Sequence, residues 1–177
     1  PEQATRYYVH EDGSRQELRI DCNDSDLLKN PYELYERDRV APAAIALGTV
    51  DRGVFPDPSL REKYALPAPS RVDDPTDARR VRAFIVQELE LAALEGHTLQ
   101  TRSQVVRRVR AQQVQPELPL DEDMMNVLET DLAPSVTIVR LADGTSAYQL
   151  KEQREFGEVI RNAVPVSYTH LRAHETP

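Results

Sequence analysis

Four arginines between residues 102 and 110 are the side chains of this sequence best suited to a functional role, and the role that they suit is phosphate binding. They are Arg102, Arg107, Arg108 and Arg110. A guanidinium donates paired hydrogen bonds to phosphate oxygens and stays charged at physiological pH, so this cluster is a candidate DNA contact. Two other interpretations stay open. The arginines could form a solvated helix face, or they could pair with the acidic residues that follow or with a neighbouring domain.

The sequence lacks the common motifs of catalysis and nucleotide binding. A Walker-type loop needs clustered glycines followed by a lysine, and none of Lys29, Lys63 and Lys151 follows a glycine. Gly-x-Ser-x-Gly, His-Glu-x-x-His, paired Cys-x-x-Cys and Gly-x-Gly-x-x-Gly are also missing from the sequence. We therefore expect no catalytic, nucleotide-binding or metal site in this chain, and no cofactor bound to it.

The end of the sequence resembles the in-frame translation of a sequencing adapter. His170, His174 and Glu175 would otherwise suggest a metal site on one helical face. We expect instead that residues 166–177 are an artefact and leave them out of fold reasoning. With the start at Pro1, this tail indicates an internal part of a longer protein.

Cys22 is the single cysteine of the chain, so no intramolecular disulfide can form. No general base lies near it in the sequence, which favours an incidental thiol. Tyr32, Leu34 and Tyr35 are predicted to supply the buried side of a short helix; base stacking is the alternative role for the two tyrosines.

The first third of the chain is predicted to contain a hairpin and short helices. Asp12-Gly13 within residues 6–20 is typical of a tight hairpin turn. Asn30 as N-cap and Pro31 predict a helix over 31–38. A second helix is expected over 43–50, ended by Gly48 or by the turn at 51–53. Five prolines between residues 56 and 75 then predict a stiff, extended connector without a helix.

The second half has clearer periodicity. Thr76 is the predicted cap of a helix over 77–95 that stops at Gly96, and further helices are expected over 102–112 and 121–132. The inward residues predicted for the third of these helices are Met124, Val127, Leu128 and Leu132. Strands at 136–141 and 146–150 form a predicted hairpin, and an exit helix covers 151–162. Three helices followed by a hairpin is the order of a winged helix.

These elements predict a mainly α fold with small β-hairpins: a short helical module and a winged-helix-like module. The predicted units are 1–22 (hairpin closing an upstream domain), 23–55 (short helices), 56–75 (connector), 76–165 (winged-helix-like module and exit helix) and 166–177 (artefact). A chain of 177 residues is long enough for a modest core, and it lacks the roughly 20 consecutive apolar residues of a membrane span. We therefore expect a soluble, cytoplasmic protein without a membrane partner.

Charge is distributed unevenly along the winged-helix-like module. Residues 78–114 carry seven arginines and three glutamates, whereas residues 115–133 carry six acids and no base. In the usual docking the third helix enters the major groove, where phosphates repel acidic side chains. If the module contacts DNA, the arginines of the second helix are therefore the better candidates.

Several residues together resemble the region that precedes the motor in RecD-like DNA helicases, relatives of the exodeoxyribonuclease V alpha chain. The resemblance covers roughly residues 24–162, and its most specific parts are Asn30-Pro31-Tyr32 and Gly96-His97-Thr98. Family members often carry a helix-hairpin-helix with closely spaced glycines after the Asn-Pro-Tyr element. Here Gly48 and Gly53 have four residues between them, so a phosphate clamp is not expected at that point.

The resemblance implies the accessory region of an ATP-dependent, 5′-to-3′ DNA helicase whose two RecA-like motor domains follow this region. ATP and Mg would bind those motor domains, and the implied partners are DNA and the protein's own motor. The alternative is a stand-alone winged-helix protein that binds nucleic acid or regulates transcription.

Overall fold

The computed structural model describes the backbone of residues 3–172, and the side chains of Thr5 and of residues 7–163. Within these residues the fold is mainly α-helical with two small antiparallel sheets, which confirms the predicted class. The side chains of the predicted artefact, residues 166–177, lie outside this description, so the metal cluster considered there is not addressed by the structure.

The predicted N-terminal hairpin is confirmed. Strand β1 (Gln3–Val9) pairs antiparallel with β2 (Arg15–Asn23). Gly13 in the connecting turn has φ +81°, a conformation that glycine adopts without strain. The Asp12 carboxylate accepts a hydrogen bond of 2.9 Å from the Ser14 amide and closes the turn.

Two short helices follow the hairpin. Helix α1 (Asp24–Lys29) was not predicted, although Asn23 and Asp26 form a capping box at its start. Helix α2 (Glu33–Asp38) confirms the prediction over 31–38. The Asn30 side chain accepts a 3.1 Å hydrogen bond from the Tyr32 amide and so caps the turn that leads into α2.

The next helix lies later than predicted. Ala43 has φ +51°, outside the helical region, and α3 runs over Leu47–Val54. Gly48 and Gly53 lie inside it and do not stop it, which corrects the prediction over 43–50. The physical reason is the spacing of its buried residues, which share one helical face: Leu47, Val50, Asp51 and Val54.

The prediction that residues 56–75 form an extended connector without a helix is wrong. Helix α4 (Pro58–Lys63) lies there. Pro58 occupies its first position, where the missing N–H costs nothing, and Asp57 caps it. Further along, Val72 is only 1% exposed and belongs to the core. The connector is thus packed against the rest of the protein.

The long helix α5 (Ala78–Leu94) is confirmed, with Asp77 rather than Thr76 as its N-cap. Gly96 has φ +89° and ends it, and the His97 amide donates to the Ala92 carbonyl at 2.8 Å. After the short strand β3 (Gln100–Thr101) comes α6 (Arg102–Arg110), close to the predicted 102–112.

The predicted third helix is broken into α7 (Glu122–Val127) and α8 (Glu129–Leu132), which meet at Leu128. Within α7, Met125 faces the core and is buried, whereas Val127, two residues later and on the opposite side of the helix, is 79% exposed. The expectation that Val127 points inward is therefore wrong. Leu132 is buried as predicted, and Met124 and Leu128 pack partly against the core.

The second sheet has three strands. Strands β4 (Val136–Arg140) and β5 (Ser146–Leu150) form the predicted hairpin, and β3 pairs with the free edge of β5, giving the order β3-β5-β4. Helix α9 begins at Lys151 as predicted but continues to Arg172, past the predicted end near 162.

One hydrophobic cluster contains buried residues from both sides of the connector. It joins α2 and α3 to α5, α6 and the three-stranded sheet, and its fully buried members include Tyr32, Phe84 and Tyr148. The described residues therefore do not form two separate cores on either side of 56–75. The assignment of domains along the chain stays a prediction.

Candidate nucleic-acid interface

Helix α6 presents the predicted arginines in a fixed orientation. Thr101 and Gln104 form a capping box that begins the helix. Three valines face the core: Val105, Val106 and Val109. Since these lie on one helical face, the outer surface of α6 is left to Ser103, Arg107 and Arg110, which follow one another at spacings of four and three residues.

Arg107 and Arg110 are exposed and form no ion pair with any described residue. They lie one turn apart on α6, with their charges available to solvent. This is the arrangement expected for a contact with a charged partner, and it is also that of a solvated helix face. The structure is compatible with both of these interpretations.

Arg102 and Arg108 are engaged within the protein. Arg102 donates from Nε to the Tyr148 hydroxyl at 3.1 Å and forms an ion pair of 3.2 Å with Glu129. The Tyr148 hydrogen bond, followed by the negative charge of Glu129, raises the pKa of Arg102 above its ordinary value. This ion pair with α8 matches the interpretation in which an arginine pairs with the acidic segment.

Arg108 pairs with the preceding long helix. It donates to both carboxylate oxygens of Glu95, at 3.0 and 3.1 Å, and its Nε contacts the buried Glu88. The hydrogen bond to Glu95 and the negative charge of Glu88 raise the pKa of Arg108. Arg108 therefore fixes the crossing of α5 and α6.

Most arginines of residues 78–114 form ion pairs or hydrogen bonds with other residues of the protein. Arg79 donates to three backbone carbonyls, those of Lys29, Pro69 and Arg71. Arg82 binds Glu33 and Glu36. With Arg80, Arg102 and Arg108 also paired, Arg107 and Arg110 are the two arginines of this segment without an ion pair among the described residues.

A buried ion pair that sequence reasoning missed connects α3 to α5. Arg80 has no exposed surface; it donates to Asp51 Oδ1 at 2.8 Å and to Oδ2 at 2.9 Å. The Tyr32 hydroxyl donates to the same carboxylate at 2.7 Å. Burial, then this hydrogen bond, raises the pKa of Tyr32 well above its ordinary value. The signal in the sequence was Asp51, which lies on the apolar face of α3.

Two further sequence expectations concern Tyr35 and Cys22. Tyr35 is 5% exposed and its hydroxyl donates to Glu90, so Tyr32 and Tyr35 both belong to the core and neither is placed for base stacking. Cys22 is buried, and this burial raises the pKa of its thiol. A raised thiol pKa disfavours the reactive thiolate.

The acidic segment 115–133 does not form a surface suited to phosphate. Glu122, Asp123 and Asp131 of α7 and α8 are exposed, and Glu129 forms a half-buried ion pair with Arg102. Phosphate would be repelled from these two helices. A nucleic acid that approaches this half of the chain would therefore meet attraction at α6 and repulsion at α7 and α8.

Among the residues described, no three histidine, cysteine, aspartate or glutamate side chains converge as a metal site. In the part of the chain that the structure describes, no helix combines the length and apolarity needed to cross a membrane. When the chain is compared with protein-family models, with curated proteins and with solved structures, nothing matches it.

Proposed function

We propose that this chain is the accessory region of a RecD-like, ATP-dependent DNA helicase, and that its second half is a winged-helix module that contacts DNA. The helicase assignment rests on the sequence resemblance. The winged-helix assignment rests on the connectivity and sheet order described above. ATP and Mg belong to the motor domains of such a helicase, and the proposal places the protein in the cytoplasm.

The observation that carries the proposal is the order of elements between α5 and β5. A winged helix has a first helix, a short strand, two more helices and a two-stranded hairpin, with the short strand paired to the last strand. Helices α5, α6 and α7–α8 and strands β3, β4 and β5 follow this order, and the sheet order is β3-β5-β4. The short strand β3 was not among the predicted elements, and its position supports the assignment.

The proposed DNA contact is to backbone phosphates. Arg107 and Arg110 supply two guanidiniums on the outer face of α6 that form no ion pair with the residues the structure describes, and contacts of this type favour nucleic acid without regard to base sequence. The module would therefore position DNA beside the motor without recognising a sequence. The acidic helices α7 and α8 would face away from the duplex.

The proposed contact with the motor lies on α9. Phe156, Val159 and Ile160 recur on one face of this helix and are between 64% and 70% exposed. Exposed large apolar side chains that cluster on one helical face are uncommon on a free protein surface and mark interaction sites. The beginning of α9 is fixed by Arg39, which binds Glu152 at 2.7 Å and Glu90 at 3.5 Å.

The helicase proposal is tested by the coding sequence downstream of this segment. We expect a Gly-x-x-x-x-Gly-Lys-Thr motif there, and DNA-stimulated ATP hydrolysis by the expressed full-length protein. A reading frame that ends shortly after Asn162 would overturn the helicase proposal and favour the stand-alone winged-helix protein. Failure of the full-length protein to hydrolyse ATP with DNA present would contradict it as well.

A further inference from the structure

Helix α9 projects from the body of the protein. It follows strand β5 without a loop, because Leu150 is the last residue of the strand and Lys151 is the first residue of the helix. The side chains of residues 154–163 are exposed, apart from the half-buried Gly157. The polar contacts that hold α9 to the described part of the protein lie in its first turn, and this turn therefore determines the direction of the helix.

Two polar contacts hold the first turn of α9. The Lys151 amide donates to the Ser135 carbonyl at 3.0 Å. The Arg39 guanidinium donates to the Glu152 carboxylate at 2.7 Å, a short distance typical of a charge-assisted hydrogen bond. The backbone contact lies at the junction of β5 and α9, so it fixes where the helix starts. The contact of Glu152 is a second point of attachment, and two points are needed to fix a direction.

Arg39 is held in the body of the protein. It follows the last residue of α2, and its side chain is only 6% exposed. Its second terminal nitrogen lies 3.5 Å from the Glu90 carboxylate of α5, and the Tyr35 hydroxyl donates to this carboxylate at 3.0 Å. Arg39 therefore connects the end of α2, helix α5 and the start of α9.

The ion pair with Arg39 also determines which way the apolar face of α9 points. Glu152, Phe156 and Val159 follow one another at spacings of four and three residues, so they share one helical face. Since Glu152 binds Arg39, the side of α9 that carries Phe156 and Val159 is the side turned toward the end of α2. This is the face that we propose as the contact with the motor.

Helix α6, which carries the proposed DNA contact, is attached to the same sheet as α9. Strand β3 ends at Thr101 and α6 begins at Arg102, again without a loop. In the antiparallel pair of β3 and β5, Thr101 is opposite Ala147, near the beginning of β5, whereas α9 leaves from the end of β5. Two hydrogen-bonded strands thus lead into α6 at one end and into α9 at the other.

We infer that Arg39 is a positioning residue that locks the direction of α9, so that α6 and α9 form one rigid unit. Arg39 precedes the winged-helix-like module in the chain. The short helices of the first third of the protein thereby set the angle between the DNA contact and the motor contact. The roles of these two contacts rest on the proposed function, whereas the rigid connection is measured in the 177-residue chain without a motor.

The experiment measures the distance between α6 and α9 by double electron–electron resonance. Nitroxide labels are attached to Ser103→Cys and Asn162→Cys, at two exposed positions, in a chain that also carries Cys22→Ala. A second labelled pair, Ser103→Cys with Thr49→Cys, reports a reference distance within the body of the protein. We expect a narrow distance distribution for both pairs.

The decisive variant removes the acceptor of Arg39 from α9. Glu152→Ala is expected to make the distribution between α6 and α9 at least about twofold wider, because α9 then keeps one point of attachment instead of two. Glu155→Ala is the matched control, since Glu155 is an exposed glutamate of the same helix without an ion pair among the described residues. It is expected to leave the distribution unchanged.

Two further measurements separate a change of direction from unfolding. The reference distance between α6 and α3 is expected to stay the same in Glu152→Ala. Circular dichroism is expected to show the same helix content in both variants, because alanine is at least as good a helix former as glutamate. A wider distribution that is accompanied by a loss of helix content would contradict the positioning role of Arg39.

The outcomes also separate this inference from the proposed function. If Glu152→Ala keeps the narrow distribution, the positioning role of Arg39 is overturned while the helicase proposal stands. A wide distribution between α6 and α9 before any replacement at Glu152, beside a narrow reference distribution, would overturn it as well. If the reading frame ends shortly after Asn162, the helicase proposal fails, and the rigid connection between α6 and α9 is still measured by the same label pairs.

Discussion

Asp51 and Arg80 form a two-pronged ion pair in the core, with Arg80 Nε and one terminal nitrogen at 2.8 and 2.9 Å from the two carboxylate oxygens. Arg80 further donates to the carbonyls of Pro75 and Pro116 and lies 4.8 Å from the centre of the Phe55 ring. The ion pair joins α3 to α5. The hydrogen bonds to Pro75 and Pro116 connect α5 to the segments that precede and follow it. The ion pair contributes to the stability of the fold that presents α6.

Removing one partner of this pair is expected to destabilise the protein strongly. Asp51→Ala leaves the buried Arg80 guanidinium without its counter-charge, and breaking such a pair costs about 3–5 kcal/mol. Urea unfolding followed by circular dichroism measures the change. Arg52→Ala, at the exposed neighbouring residue, is the control and is expected to change stability by less than about 0.5 kcal/mol. Equal stabilities of the two variants would show that the pair is not important.

Replacing Gly96 or Gly53 with alanine is expected to change the stability of the protein in opposite directions. Gly96 has φ +89°, where a side chain is strained, so Gly96→Ala is expected to destabilise by about 1 kcal/mol. Gly53 lies in α3 without positive φ and with no atom within 4 Å of an added Cβ. Gly53→Ala is therefore expected to stabilise by about 0.5–1 kcal/mol. Thermal unfolding of the two variants checks the signs; stabilisation by Gly96→Ala would contradict the observed end of α5.

Tyr32 and Tyr35 predict a loss of stability at alkaline pH. Burial raises the pKa of both hydroxyls above the ordinary value of 10.0. Because the unfolded chain releases these protons more easily than the folded one, stability is complete below pH 10 and falls as the pH rises above it. Absorbance at 295 nm should show these two tyrosines ionising together with unfolding. The double variant Tyr32→Phe with Tyr35→Phe should lose that part of the pH dependence, and ionisation of Tyr32 in the folded protein would contradict its buried position.

The parts of the fold that the sequence predicts well are those determined by neighbouring residues. Asp12-Gly13 and the 143–144 turn identify the two hairpins, and the apolar spacing of α5 and α6 identifies these helices. The break at Leu128 and the packing of Val72 depend on contacts with distant parts of the chain, so local periodicity did not predict them.

Which arginines form ion pairs could not be predicted either, because their partners are also distant in the sequence. Arg80 pairs with Asp51 across 29 positions, and Arg102 pairs with Glu129 across 27. The sequence shows a cluster of positive charge, whereas only the tertiary structure shows which charges are neutralised. Of the four candidate DNA contacts, this leaves Arg107 and Arg110 as the residues to test.

The most direct test of the DNA contact is a charge reversal on α6. Reversal at Arg108 would also break its pairs with Glu88 and Glu95, so the variant combines Arg107→Glu with Arg110→Glu. The matched control is Arg15→Glu with Arg19→Glu, two exposed arginines on β2.

Binding of these proteins to a labelled duplex is measured by anisotropy over a range of NaCl concentrations. The account predicts that the α6 variant binds at least about tenfold more weakly and that its slope of log affinity against log salt falls by about 2, while the control keeps both. Unchanged affinity and slope in the α6 variant would contradict the account and leave Arg107 and Arg110 as a solvated helix face.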